Sequence, residues 1–280
     1  MSAEPIPPAP SRPALRRFGS KWRLAPWLIS LMPAHRLYVE PWAGSCAILL
    51  RKPPAAREVV NDCDRLLWNF FHVLRTRTHE LLRQIELTPY HRLELELACQ
   101  PCEDPLERAR RFYVVSWQNW NGHRVEDNYS WRRPIAHNGP AVTANWNQFD
   151  HLWAVVARLK QVMFDCEDWR RCLERYDRPD ALFVCDPPYL PATRSSRWSA
   201  KSYQHEMTTD DHMELLERVQ SLRGAVLLCG YPSQLYDDAL RGWQRNQRTA
   251  RTDGGQRIEV VWTNRAAGVS ALKESNGDVA

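Results

Sequence analysis

The sequence has no run of about 18 apolar residues, so no segment is expected to cross a membrane as a helix. A charged start followed by an apolar stretch is also missing: residues 1–14 are rich in proline (Pro5, Pro7, Pro8, Pro10 and Pro13), and no secretory signal is expected. The expectation is a cytoplasmic protein. Of eight cysteines only Cys99 and Cys102 lie close together, and no second pair or histidine pair follows at zinc spacing. Reduced thiols and no metal are therefore expected. Internal repeats are absent. Acidic residues are missing from residues 5–39, where Arg12, Arg16, Arg17, Lys21, Arg23 and Arg36 occur, and from residues 190–205, where Arg194, Arg197 and Lys201 occur. Unopposed basic stretches suit a polyanion, although solvated loops share this composition.

What is present fits one large α/β domain or a core domain with an insertion: 280 residues, 44% hydrophobic, net charge +5. Residues 1–17 read as a disordered proline-rich tail. Strands are expected at residues 36–40, 57–60, 161–164, 182–186, 225–229 and 259–263. Helices are expected at 23–31, 46–51, 65–75, 78–85, 90–99, 105–117 and 208–221, the longer ones from apolar residues at three- and four-residue spacing. The first strand runs into Glu40, Pro41, Trp42, Ala43, Gly44 and Ser45, a small-residue turn at which backbone can approach a ligand. The second strand ends at Asn61-Asp62, placing an acid about twenty residues past the first turn, where nucleotide-like ligands have their ribose held. An ordinary βαβ unit would look similar.

The chain is organised around Leu182-Phe183-Val184-Cys185-Asp186-Pro187-Pro188-Tyr189. A buried-strand run stops at a carboxylate, two prolines and an aromatic ring; the prolines stiffen the turn and lack N–H groups. Asp186 and the Pro187 carbonyl can each accept one hydrogen of an exocyclic NH₂, while a planar base lies on Tyr189. These contacts draw the nitrogen lone pair out of conjugation.

Phe18-Gly19-Ser20-Lys21, Tyr38-Val39-Glu40-Pro41-Trp42-Ala43-Gly44, Asn61-Asp62, Asp168-Trp169 and Asp186-Pro187-Pro188-Tyr189 occur in this order. Together with Tyr203-x-His205-Glu206-Met207, Gly230-Tyr231 and Glu259-Val260-Val261-Trp262, they resemble the Dam-like (D12-class) DNA adenine-N6 methyltransferases, particularly their phage and prophage branch. The resemblance spans roughly residues 18–265. It implies a Rossmann-like sheet, with residues 18–77 and 161–265 as the catalytic domain. It also implies a mostly helical target-recognition insertion at 78–160 and a C-terminal tail at 266–280. The cofactor implied is S-adenosylmethionine, with Lys21, Trp22, Glu40, Pro41, Trp42, Gly44, Ser45, Asp62 (ribose), Asp168 (adenine ring) and Asp186 at its site. Asp186, Pro187, Pro188 and Tyr189 would grip the target adenine. One departure stands out: Cys46 occupies the position of the family's second glycine, and a negative φ there, at the start of a helix, would accommodate its Cβ.

The partner implied is double-stranded DNA, met by a monomer that methylates N6 of a flipped adenine at a specific site, as in a restriction-modification system. Asn119, Asn121, Arg124, Arg132 and Arg133 of the insertion, with Arg194, Arg197 and Lys201 of the basic loop, would contact it. Trp117 and Trp146 adjoin helical stretches and are expected to pack. The alternatives left open are a cytosine-N4 or other exocyclic-amine methyltransferase, since the same grip fits any conjugated NH₂, and an inactive DNA-binding relative.

Overall fold

The computed structural model describes residues 10–120, 130–132, 142–194, 203–252 and 255–265. A seven-stranded sheet organises them, in the order β3-β2-β1-β4-β5-β7-β6. The strands are β1 (Leu37–Glu40), β2 (Arg57–Asn61), β3 (Met163–Asp165), β4 (Ala181–Cys185), β5 (Ala225–Gly230), β6 (Gln244–Thr252) and β7 (Gly255–Thr263). The first five are parallel, and β7 returns antiparallel to β5 with β6 beyond it. This is the expected Rossmann-like α/β fold.

The central parallel strands β1, β4 and β5 are buried on both faces, and alternation along β4 shows how. Leu182 and Val184 point into one core, with α1 (Ala25–Ser30), α2 (Arg65–Thr76), α3 (Thr78–Leu87), α5 (Pro105–Gln118) and α7 (His151–Leu159). Ala181, Phe183 and Cys185 point into the other, with α8 (Trp169–Tyr176), α9 (Thr209–Ser221) and α10 (Gln234–Ala239). Helices on both sides leave no strand face for water, which is why β4 and β5 read as continuous apolar runs. Short helices α4 (Arg92–Ala98) and α6 (Val142–Trp146) complete the helical section between β2 and β3.

Local signals set several helix starts. Asp64 accepts from the N–H groups of Leu66 and Leu67 to begin α2, and Thr208 and Asp211 form a reciprocal capping box on α9. Trp117 and Trp146 are packing residues, as expected: both are buried, and the Trp146 indole donates to the Thr88 carbonyl at 2.8 Å. The expected helix at 46–51 is absent. Its residues form successive tight turns, with Cys46 N bonded to the Ala43 carbonyl and Leu50 N to the Cys46 carbonyl.

Candidate active site

Strand order reverses between β1 and β4, and in open α/β sheets the crevice at the carboxyl ends of such strands is where ligands sit. Glu40 ends β1, and Asp186 follows the last residue of β4. A cavity of about 430 Å³ opens there, lined from Glu40, Trp42, Gly44, Ser45 and Asp62 on one side to Asp186 and Pro188 on the other. Its roof includes Phe18–Lys21 and Tyr203–Met207. Gly19 makes that roof possible: its φ is +76°, and a Cβ there would lie 2.5 Å from the Tyr203 hydroxyl.

The β1 turn is tied to its surroundings through backbone N–H groups. Gly44 N donates to Asp62 at 2.9 Å, and Leu49 N donates to Glu40 at 2.9 Å. Asn61, 1% exposed, donates to the Pro41 and Glu167 carbonyls and accepts from Glu167 N, joining the ends of three strands. Cys46 reverses the expectation made for it: its φ is +54°, the one positive value at a non-glycine among the described residues. The turn keeps a glycine-like conformation while carrying a buried thiol, at a cost of about 1–2 kcal/mol of backbone strain. Cys46→Gly should therefore be more stable than Cys46→Ala, by about 1 kcal/mol in urea unfolding, because both lose the sulfur and only glycine relieves the strain. Were φ negative, alanine would be the more stable.

Burial dominates the electrostatics. Desolvation pushes the Glu40 carboxyl up to about 7, against its hydrogen bonds from Tyr38 and Leu49 N. Across the cavity, Lys21 Nζ lies 2.9 Å from Asp186 Oδ1 and donates to the Gly19 carbonyl at 3.0 Å. Burial works against the ammonium, yet Asp186 and Glu259 outweigh it and raise the Lys21 pKa above the ordinary value. The Asp186 carboxyl is raised by burial, opposed by Lys21. Despite the ion pair, Asp186 Oδ1 is a buried acceptor with no well-directed hydrogen bond.

Tyr189 is more enclosed than a waiting stacking platform. It is buried; its ring carries the Lys21 ammonium at 4.7 Å and meets Tyr231 edge-on at 4.6 Å, and its hydroxyl donates to Glu259 at 2.8 Å. Pro187 is buried beside it.

The other residues singled out from the sequence divide. Trp42 packs on Trp169 at 5.5 Å, and Ser45 shares a 3.0 Å hydrogen bond with Ser20. Exposed Asp168 caps α8 and lines the cavity. Trp22 and Pro41 do not line it: Trp22 packs under the Arg51 guanidinium at 5.2 Å, and Pro41 is buried. Lys21 reaches the cavity, but its charge is directed at Asp186.

Two proposed DNA contacts need correcting. Arg194 is buried, donating to the Tyr189 carbonyl and to both oxygens of Glu206, so its charge is neutralised inside the fold. Asn119 is 4% exposed and accepts from Ser130 N, which removes it from base reading. Arg132 is half-buried beside the short Asn119–Trp131 bridge. Asn121, Arg124, Arg133, Arg197 and Lys201 lie outside the described residues.

Sequence reading missed Arg17, which lines the cavity and pairs with Asp64 at 3.1 Å, and Glu259 as the partner of Tyr189. No spacing signal could have joined two residues 70 positions apart.

The cavity's titratable lining is mainly acidic: Glu40, Asp62, Asp64, Asp168, Asp186, Glu206 and Asp211 face Arg17, Lys21, Arg170 and His205. Such a lining suits a ligand with cationic groups and hydroxyls better than one carrying phosphates. Residues 18–104 match a family model described as D12 class N6 adenine-specific DNA methyltransferase. The match runs from the cavity roof through β1, β2 and the first helices, and the turn after β4 lies beyond it. A comparison with curated proteins gave no match.

Proposed function

We propose, from the match of residues 18–104 to the D12 class N6 adenine-specific DNA methyltransferase model, that the protein transfers a methyl group from S-adenosylmethionine to N6 of an adenine turned out of double-stranded DNA. The observation that carries the proposal is the Asp186 carboxylate, held at a strand end on the cavity wall with Oδ1 engaged by the movable Lys21 ammonium at 2.9 Å. It shares one cavity with Glu40 and Asp62 at the far side, so an acceptor for an amine and an acid-lined cofactor site face the same space.

The residues present fit the cofactor. Its amino and sulfonium charges suit the Glu40 side, its ribose hydroxyls suit Asp62, and Trp42 and Trp169 offer aromatic surface. When bound, S-adenosylmethionine supplies an electrophilic methyl group that no side chain provides. The protein's part is orientation and charge. Asp186 accepts one N6 hydrogen and the Pro187 carbonyl the other, so the nitrogen lone pair turns toward the methyl group. As N6 gains positive charge, both acceptors stabilise it without reorganising; Asp186 would then take the proton shed by N6 and pass it on to solvent, the spent methyl donor being left as a neutral thioether.

Lys21 acts before the base arrives. Its ammonium opposes the burial that raises the Asp186 carboxyl and lies over Tyr189, the surface on which the base would stack. The incoming amine displaces it, and the flexible four-carbon stem lets it withdraw. Tyr189 is held in place by Glu259 and Tyr231.

Glu40 makes cofactor binding depend on pH. Its folded pKa of about 7 exceeds the ordinary 4.5, so the ligand-free fold binds this proton more tightly than the unfolded chain does. Its contribution therefore weakens stability as pH rises from about 4.5 to about 7. A cationic cofactor favours the ionised form, so its stabilising effect should grow over the same interval. S-adenosylmethionine is expected to raise the melting temperature more at pH 8 than at pH 6, and Glu40→Gln should flatten the difference. Equal shifts at both pH values in the wild type would place the cofactor's charge elsewhere. The activity itself is tested by sequencing modified bases in DNA from cells expressing the protein. Methylated adenine in a defined sequence context is expected, and it should be absent with Asp186→Asn.

A further inference from the structure

The hairpin of β6 and β7 is built unlike the rest of the sheet. β5 ends at Gly230, opposite Val260, whereas β7 begins at Gly255 and β6 continues to Thr252. Five cross-strand pairs, from Arg248↔Glu259 to Thr252↔Gly255, thus continue past the carboxyl edge of β5. At about 3.4 Å per residue this is an arm of about 15 Å on the side of the sheet where Asp186 lies.

Cross-strand partners in an antiparallel pair share a face, so Arg248 lies beside Glu259, and Arg257, two residues along, lies on the same face. Glu259 reaches Tyr189, and the Arg257 guanidinium stands over the Tyr231 ring at 5.4 Å. From Tyr189 through Tyr231 to Arg257, with Arg248 alongside, a continuous row of contacts leads from the Asp186 turn onto the arm. Among the described residues the carboxylate on this face is Glu259, 7% exposed, whose Oε2 accepts from the Tyr189 hydroxyl. Arg248 is exposed and pairs with no carboxylate among the described residues. Arg245, on the opposite face, is by contrast held by Asp237 at 3.0 Å. Packing does not explain the arm, since its strands carry few apolar residues and Ile258 on its other face is itself 44% exposed.

We propose that Arg248 and Arg257 form a phosphate-contacting rail that holds the backbone of duplex DNA beside the Asp186 turn. The inference rests on the methyltransferase reading for the identity of the polyanion. Its argument is positive charge on a projecting sheet arm, continuous with the acceptor turn. Phosphate contacts fix orientation without reading sequence, so the rail would position DNA while other residues choose the site.

The test is binding of duplex oligonucleotides by fluorescence anisotropy across a salt series, with wild type, Arg248→Ala, Arg257→Ala and the double variant. Each lost phosphate contact should flatten the slope of log K against log salt by about 0.9, and the double variant by about 1.8. Weakening should be equal for all sequences, with S-adenosylmethionine affinity unchanged. Because Arg257 also packs on Tyr231, Arg248→Ala serves as the variant free of that contact, and it should flatten the slope by about 0.9 alone. If the wild type binds and methylates duplex DNA while the Arg248→Ala and double-variant slopes are unchanged, the rail is wrong and the enzymatic reading stands. Loss confined to one base pair's discrimination would also overturn it, in favour of base reading. A wild type that binds no duplex DNA would overturn both.

Discussion

Asp186→Asn should lower the rate of methyl transfer to duplex DNA by at least about 10²-fold while leaving S-adenosylmethionine affinity within a few-fold of wild type. Removing one fixed acceptor at a centre that gains charge has effects of this size. The change conserves shape and one acceptor oxygen but removes the carboxylate's charge, which is what stabilises N6 as it becomes positive. The structure adds a consequence that the sequence could not show: the Lys21 ammonium, 2.9 Å away and buried, loses its nearest counter-ion and keeps only the more distant Glu259. Asp186→Asn should therefore also be destabilised, and a lower rate is interpretable only beside a stability measurement. The double variant Asp186→Asn/Lys21→Met supplies the control. It should recover much of the stability and none of the activity, since the buried pair is replaced by neutral groups while the acceptor charge stays absent. Wild-type turnover by either variant would remove Asp186 from the reaction.

Lys21→Met is the second large effect, and it acts on folding as well as catalysis. Breaking a buried pair by removing one partner costs about 3–5 kcal/mol, because the remaining charge is left without compensation. Asp186 has an escape that fixes the pH dependence: it can take up a proton. Its carboxyl is already raised above the ordinary 3.8 by burial, and without Lys21 it rises further. Between the unfolded value and this raised folded value the folded chain binds the extra proton, so stability falls as pH rises, by up to about 1.4 kcal/mol per unit. The deficit relative to wild type should thus be greatest at neutral pH and shrink toward pH 5, as read from urea unfolding at several pH values. Activity should move the other way, because a protonated Asp186 is a weaker, uncharged acceptor and stabilises the developing charge on N6 less. The acid limb of the pH–rate profile should shift to higher pH in Lys21→Met. A deficit independent of pH would mean that Lys21 acts by packing alone.

The sequence disclosed the parts of this protein whose causes are local. An apolar run stopped by Asp186 and two prolines placed the turn after β4, and small residues after Glu40 placed the turn after β1. Threonine followed by acids marked the start of α9. What escaped has long-range or weakly patterned causes. β6 reads Gln-Arg-Asn-Gln-Arg-Thr-Ala-Arg-Thr, with no apolar alternation, and is a strand because β7 pairs with it. The turns at 46–51 look helical by composition, but Cys46 at φ +54° diverts the chain at their start. Arg194 looked like a charge for DNA because its stretch lacks acids up to His205, and its partner Glu206 is the next residue. The pairing of Lys21 with Asp186 joins positions 165 residues apart, which no periodicity can report. That contact turns a set of motifs into a site with a defined charge state.

The central claim is that Asp186 and Pro187 present an exocyclic amine of adenine to a methyl donor. Its most direct test is to incubate duplex DNA with the purified protein and methyl-deuterated S-adenosylmethionine, digest to nucleosides, and identify the label by mass spectrometry. The account predicts deuterated N6-methyladenine, lost with Asp186→Asn; label on cytosine N4 instead, or no label in DNA at all, would contradict it.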